Sequence, residues 1–414
     1  MKYNFFIMLL ALVVGLGAMG TASAHQVGHQ QYQHPQHQIF GHQNYFNHHH
    51  NHGGSSDNGT QPPANDTNTT PVDNNTTPVD NGTTPTDNGT DNGTTPISNG
   101  TNITPTTIVN GGSIQTAIDN AKTGDVIQVN GGTYSGFTIN KGIVLIGNGI
   151  VNINSPVTIT GSGATLNGFT ILKQDYALTI TSVNNVSILN NVINSQLNGL
   201  MSTGTCNNLL VAYNHFIGYD QLYGNNIAFE SVVSNSVVRD NYMEGAEFCL
   251  LFDKASTNDI VSGNTMMQYG NLVHPGDPIV TEGVGFYTVD GSTNFQILNN
   301  TIINSRDAIA LQQIGSGTSS GFLVQGNIVK DSLNGIWMTV NNSIFKDNTL
   351  INNTNSIDLT GTGNLIEYNT MTGSKNCDVA LTTSKSTDVN TLMGNIIDGS
   401  PLYYNVGSGK VVGE

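Results

Sequence analysis

Positive charge is scarce in this chain: 12 Lys plus Arg stand against 28 Asp plus Glu in 414 residues, for a formal net charge of −16. Sequence-independent nucleic-acid binding needs clustered cations to displace phosphate counterions. There are too few here to cluster, so DNA, RNA and anionic membrane surfaces are poor partners. Charged residues of both signs reach only 10%, against about a quarter in ordinary soluble domains. Cysteine is equally thin. Cys206, Cys249 and Cys377 are an odd number and far apart, which excludes a disulfide scaffold and leaves buried thiols.

Long hydrophobic runs are missing as well, with one exception. Lys2 precedes an almost wholly apolar stretch from Phe5 to Gly20, followed by Ala22-Ser23-Ala24 as a small-x-small cleavage site. Residues 1–24 therefore read as a secretory signal peptide; the run is short of the ~20 residues of a membrane-spanning helix. No membrane span is expected after cleavage, and the protein is expected to be secreted or displayed at the cell surface.

What is abundant is Asn, Thr, Ser and Gly, with 48 glycines alone. Asn and Ser compete with helical hydrogen bonds and Gly loses entropy in a helix, so the composition favours turns and strands. Residues 25–52 hold nine of the 11 histidines, ending in His48-His49-His50-Asn51-His52. Nothing in this tract can build a core, so it reads as disordered. Imidazoles at that density chelate Zn, Ni or Cu; the alternative is a solvated tract that titrates near neutral pH. Residues 53–105 are D-N-G-T-T-P units without an aromatic residue, an extended linker. Its N-x-T sequons at Asn58, Asn65, Asn81, Asn88, Asn92 and Asn99 are candidate N-glycan acceptors.

Folding is expected over residues 106–414. Ser113 caps a short helix carrying Ile114, Ala117, Ile118 and Ala121 on one face, with Gly124 as its stop. The chain then repeats an apolar-x-x-Asn-x-apolar unit, centred on Asn191, Asn214, Asn241, Asn264, Asn300, Asn327, Asn348, Asn369 and Asn395. The steps between them are 23, 27, 23, 36, 27, 21, 21 and 26 residues. A second strand with apolar i, i+2 pairs recurs inside the units: Ile227 with Phe229, Phe248 with Leu250, Val284 with Phe286, Ile309 with Leu311, Ile336 with Met338, Ile357 with Leu359 and Val379 with Leu381. Such alternation puts the pair inward and the residue between them outward. Trp337, between Ile336 and Met338, thus points outward, as a sugar-stacking platform or an ordinary surface aromatic.

One unit cannot bury its strands alone, whereas stacked units pair every backbone with the rung above and below about 4.8 Å away. The asparagines then stack into a ladder at the corner. The fold class is all-β, a single solenoid. Leucine-rich repeats would need L-x-x-L-x-L, and a β-propeller would need longer repeats.

The run Ser113-Ile114-Gln115-Thr116-Ala117-Ile118-Asp119, then Gly124-Asp125-Val126-Ile127-Gln128-Val129, Gly131-Gly132-Thr133-Tyr134 and Ile143-Val144-Leu145-Ile146-Gly147, resembles the opening of pectin-lyase-like right-handed parallel β-helix proteins. The N-G-I repeats, such as Asn334-Gly335-Ile336, are similar to the carbohydrate-binding and sugar-hydrolase subgroup of that superfamily. The resemblance covers roughly 107–400 and implies a monomeric right-handed parallel β-helix with a short N-terminal capping helix. It does not carry over catalytic residues. The N-T-D, G-H-G and R-I-K motifs of polygalacturonases, the W-x-D-H of pectate lyases and the D-P-H of alginate epimerases are unmatched in the β-helix.

Chemistry concentrates in residues 214–307, which hold 11 Asp and Glu against three in 105–213, with both arginines and the two histidines outside the tract. The 36-residue step falls here and adds a loop centred on His274-Pro275-Gly276-Asp277-Pro278. As an enzyme, the chain would bring Glu230, Asp253 and Asp290 together as general acid and base on a glycosidic bond, or use them to hold Ca²⁺ for elimination from a uronate, with Arg306 neutralising the substrate. As a binding protein, it would grip a polysaccharide or cell-envelope glycan without catalysis, through Tyr219, Tyr223, Tyr269, His274, Asp277, Glu282, Tyr287 and Trp337.

Overall fold

A computed structural model describes residues 104–219, 224–269, 283–312, 317–398 and 404–413. The signal-like run, the His tract and almost all of the linker with its six sequons lie outside these residues, as do Tyr223, His274, Asp277 and Glu282.

The described chain is a β-solenoid of about 12 turns. Ser113 accepts the Thr116 amide at 3.2 Å and starts helix α1 (Ile114–Asn120). Its Ile114 and Ile118 are buried in the solenoid core, so the helix closes the first rung. From there the typical rung contributes three short strands, one to each of three faces, and every strand pairs in parallel with its counterparts on the rungs before and after.

The first face shows why the repeat takes this form. Val211, Val238, Val261, Ile297, Val324, Phe345, Ile366 and Leu392 are in register on successive strands and all are buried. These are the apolar residues three before each asparagine. The residues two after it form the matching column of the second face, Phe216, Met243, Met266, Ile302, Val329, Leu350, Met371 and Ile397.

The corner between these two faces is the asparagine ladder. Asn264 donates its backbone N–H and Nδ2 to Asn300 Oδ1, both at 3.0 Å, and a second Nδ2 hydrogen to Val238 O at 2.9 Å. The same pattern runs from Asn191 to Asn395. Each buried amide thereby uses both donors and accepts two bonds on its oxygen, which removes the desolvation cost of a buried polar side chain. The tight bend belongs to the residue just before: Asn190, Tyr213, Asp240, Asn299, Asp347 and Tyr368 are left-handed, and Gly263, Gly326 and Gly394 fill the same place on other rungs.

The third face comprises Asn225–Phe229, Phe248–Phe252, Val284–Val289, Asp307–Gln312, Asn334–Thr339, Asn355–Thr360 and Cys377–Thr383. Here two of the expected inward pairs are displaced. Leu250 and Phe252 fill the core, and so do Phe286 and the fully buried Thr288, whereas Phe248 and Val284 belong to a separate cluster on the outer side. The cause is a change of phase in the strand. Cys249 joins the core next to Leu250, so two successive residues face inward and the residue before them is turned out.

Candidate functional site

The outward residues of the third face form two columns. One runs Met201, Ala228, Leu251, Tyr287, Ala310, Trp337, Asp358 and Ala380. The other runs Asn198, Asn225, Phe248, Val284, Asp307, Asn334, Asn355 and Cys377. In the first column Tyr287 and Trp337 are two rungs apart, roughly 9.6 Å at 4.8 Å per rung, with Ala310 between them as a low floor. Both rings pack against an outer apolar cluster of Ala228, Phe248, Leu251, Val284 and Ala310. Phe248 meets Tyr287 edge-on at 5.4 Å. Trp337 thus does point outward.

Polar side chains bracket this apolar stretch on both sides. Towards the N-terminal rungs, Asn225 donates to Asn198 at 2.7 Å and Asn198 donates to Glu230 Oε1 at 3.2 Å. Towards the C-terminal rungs, Asn376 donates to Asn355, Asn355 to Asn334, and Asn334 to Asp307 Oδ1 at 2.7 Å. Asp307 also receives Arg306 Nε at 3.3 Å, both side chains being largely buried. Each run of amides ends on a carboxylate.

Tyr287 is the electrostatic centre of the face. Burial raises its phenol well above the ordinary tyrosine range, and the charges of Asp253, Asp307 and Asp290 add to this, while Arg306 opposes it. The hydroxyl donates to Gln312 Oε1. Tyr287 therefore stays a neutral donor. Glu230 and Asp253 follow the third-face strands of successive rungs, and the Asp253 amide bonds Phe229 O at 3.0 Å. Asp253 is paired with Lys254 at 2.7 Å. Asp290 stands one residue beyond its strand, in the turn, and accepts the Gly317 amide at 2.8 Å. The charges of Asp253, Asp290 and Arg306 thus all act on the Tyr287 phenol. Asp307 acts on it as well, as the partner of Arg306, and Gln312, which the sequence did not point to, accepts its hydroxyl.

Tyr219 and Tyr269 lie elsewhere, on the second face, where Tyr219 acts on the Tyr269 phenol and Tyr269 shares Glu244 with His215. Glu244 Oε1 is 2.8 Å from His215 Nε2 and Oε2 accepts the Tyr269 hydroxyl at 2.7 Å. The signal for this pair was present in the ladder numbering, because Tyr219 and Tyr269 both stand five residues after a ladder asparagine, Asn214 and Asn264.

Among the described residues no group of three or more His, Cys, Asp or Glu side chains is spaced to hold a metal ion. No described helix is long and apolar enough to cross a membrane.

A family model described as "Periplasmic copper-binding protein (NosD)" matches residues 270–409. No curated protein matches this sequence. Among solved structures, a tailspike protein of E. coli bacteriophage HK620 is 13% identical over 67% of this chain and 62% of its own, with a TM-score of 0.44. An exopolygalacturonase from Thermotoga maritima is 7% identical over 70% and 83%, at 0.43, and PfbA, a surface adhesin of Streptococcus pneumoniae, is 15% identical over 72% and 87%, at 0.35. The chain therefore spans 62% of the length of the tailspike it matches. By the architecture and strand register of its described residues, it is a parallel β-solenoid.

Proposed function

We propose that the protein is secreted or held at the cell surface and binds a polysaccharide or cell-envelope glycan along the third face, without catalysis. The observation that carries this reading is the outward column Tyr287–Ala310–Trp337, two aromatic platforms bracketed by amide runs that end on Glu230 and Asp307. Sugars present an apolar C–H side to aromatic rings and hydroxyls to amides and carboxylates, and this face supplies both. The carboxylates are engaged by protein partners: Asp253 by Lys254, Asp307 by Arg306 and Asn334, and Asp290 by Gly317.

The alternative is a lyase or glycosidase using Asp253, Asp290 or Asp307 beside Tyr287, with Ca²⁺ as a further ligand of the groove; their shared proximity to that phenol favours keeping it. A glycan array followed by titration of Trp337 fluorescence, with Trp337→Ala as control, tests binding. Incubation with uronans and neutral glycans, reading reducing ends and the ultraviolet absorbance of unsaturated products, separates the two. Product formation abolished by one carboxylate substitution would make the protein an enzyme, since losing a general acid or base costs about a hundredfold or more. Absence of glycan binding refutes the reading.

The second element of the proposal is that His48, His49, His50 and His52 hold Zn, Ni or Cu. Calorimetric titration before and after deletion of residues 25–52 checks it, with metal binding expected to disappear in the deletion. The sequons at Asn58, Asn65, Asn81, Asn88, Asn92 and Asn99 are proposed glycan acceptors, read by mass shift on deglycosylation.

A further inference from the structure

On the second face Tyr219 and Tyr269 are about half exposed, at 50% and 51%, yet each ring is fixed by partners. The Tyr269 hydroxyl donates to Glu244 Oε2 at 2.7 Å. Its ring lies against the backbone at Gly245, where an added Cβ would come within 2.9 Å of Tyr269 Cε2. Gly245 also has φ +74°, so glycine is required there for both space and conformation. Tyr219 donates to Asn194 Oδ1 at 3.3 Å and carries Lys173 Nζ 4.5 Å above its ring. Glu244 is held from its other oxygen by His215, whose ring meets Tyr242 edge-on at 5.0 Å.

Two exposed rings immobilised in this way pay their ordering entropy before any ligand arrives, which is what a preformed site requires. Each Glu244 oxygen takes one protein hydrogen bond and keeps capacity for another. The cluster therefore offers two apolar platforms and, beside them, a carboxylate acceptor in fixed geometry. Both tyrosines stand five residues after their ladder asparagine, while the intervening rung carries the fully buried Ala246 at that offset.

We propose that Tyr219, Tyr269, Glu244 and His215 form a second saccharide-binding site, distinct from the Tyr287–Trp337 face, for a neutral, hydroxyl-rich sugar. The Glu244 carboxylate accepts sugar hydroxyls and repels the carboxylate of a uronate, so neutral chains are preferred. The inference rests on the reading of this protein as a saccharide binder, but it does not need the third face to be the binding surface.

The test uses the full chain and a panel of neutral glucan, mannan and galactan fragments, with polygalacturonate fragments as the charged comparison. Binding is read by calorimetry and by the emission of Trp337, the sole tryptophan of the sequence, which lies on the third face. Occupancy of the second site releases or absorbs heat without changing that emission. Tyr269→Ala and Glu244→Gln are expected to weaken the emission-silent binding tenfold or more, and Tyr368→Ala, a similarly exposed tyrosine outside the cluster, to leave it unchanged. If wild type binds neutral fragments only with an emission change, or if both cluster variants retain the silent component, the second site is refuted while the third-face reading stands. A silent component lost in the variants, with no emission-coupled binding in wild type, establishes the second site and removes the third face. No binding to any fragment refutes both.

Discussion

Asp259 stands five residues before the ladder asparagine Asn264, where other rungs carry Ser236, Ser343, Asn364 or Asn390. Asparagine suits the place: Asn364 and Asn390 each donate Nδ2 to a carbonyl of the rung before, at 2.9 and 3.0 Å. Asp259 accepts the Ser236 amide on Oδ1 at 2.8 Å, but its Oδ2 is buried without a partner. Burial raises its carboxyl from the ordinary 3.8 to about 7, and the Ser236 amide offsets only part of this. A carboxyl whose folded value is raised stabilises the fold fully below its unfolded value, and that contribution is lost as the pH climbs through the folded one. The pH window is therefore about 4 to 7, and a three-unit gap corresponds to roughly 4 kcal/mol. Asp259→Asn is expected to raise the melting temperature at pH 7 by several degrees, with the gain shrinking to near zero at about pH 4. Thermal melts of the two proteins across that range check it; an Asn variant less stable at neutral pH would contradict the argument.

At the level of the element, the ladder carries the corner, and each amide serves two neighbouring rungs. Replacing Asn300 by Leu leaves the Asn264 amide, the Asn264 Nδ2 and Val261 O without their partners. Buried polar groups left unpaired cost about 1–3 kcal/mol each, so a loss of roughly 3–9 kcal/mol is expected in denaturant unfolding. An exposed comparison, Asn258→Gly, tolerates that position's φ of 61°, breaks only solvent-facing bonds and should cost less than about 1 kcal/mol. The ladder and the two flanking columns were legible in the sequence because Asn recurs at a fixed distance from apolar residues. The third face was legible only in part. Where alternation is clear, as in Ile336-Trp337-Met338, the outward residue was identified. In Phe248-Cys249-Leu250-Leu251-Phe252 every residue is apolar and buried, so periodicity cannot show where Cys249 shifts the phase. The contacts of Glu244 with His215 and Tyr269, 29 and 25 residues apart in sequence, required the ladder as a ruler. Asp307 and Gln312 beside Tyr287 lie beyond loops of unequal length, and there no such ruler applies.

For the whole molecule, the decisive property is the sign of its charge. A formal net charge of −16 surrounds any saccharide face with a negative potential, whichever residues make the contacts. Approach of a polyuronate is opposed by that field, while a neutral glycan is indifferent to it. Raising ionic strength from about 0.01 M to about 1 M shortens the screening length from about 30 Å to about 3 Å, which removes repulsion between charges that do not touch. Association of uronan fragments is thus expected to speed up severalfold across this range, and that of neutral fragments to stay constant within experimental error. Stopped-flow measurements following Trp337 emission report the third face directly. Uronan association that instead slows with salt would mean a local attraction outweighs the global field, with Arg306, a cation whose charge acts on Tyr287, able to supply it. Arg306→Gln would then abolish the salt dependence, and the preferred ligand of the third face would have to be an acidic chain rather than a neutral one.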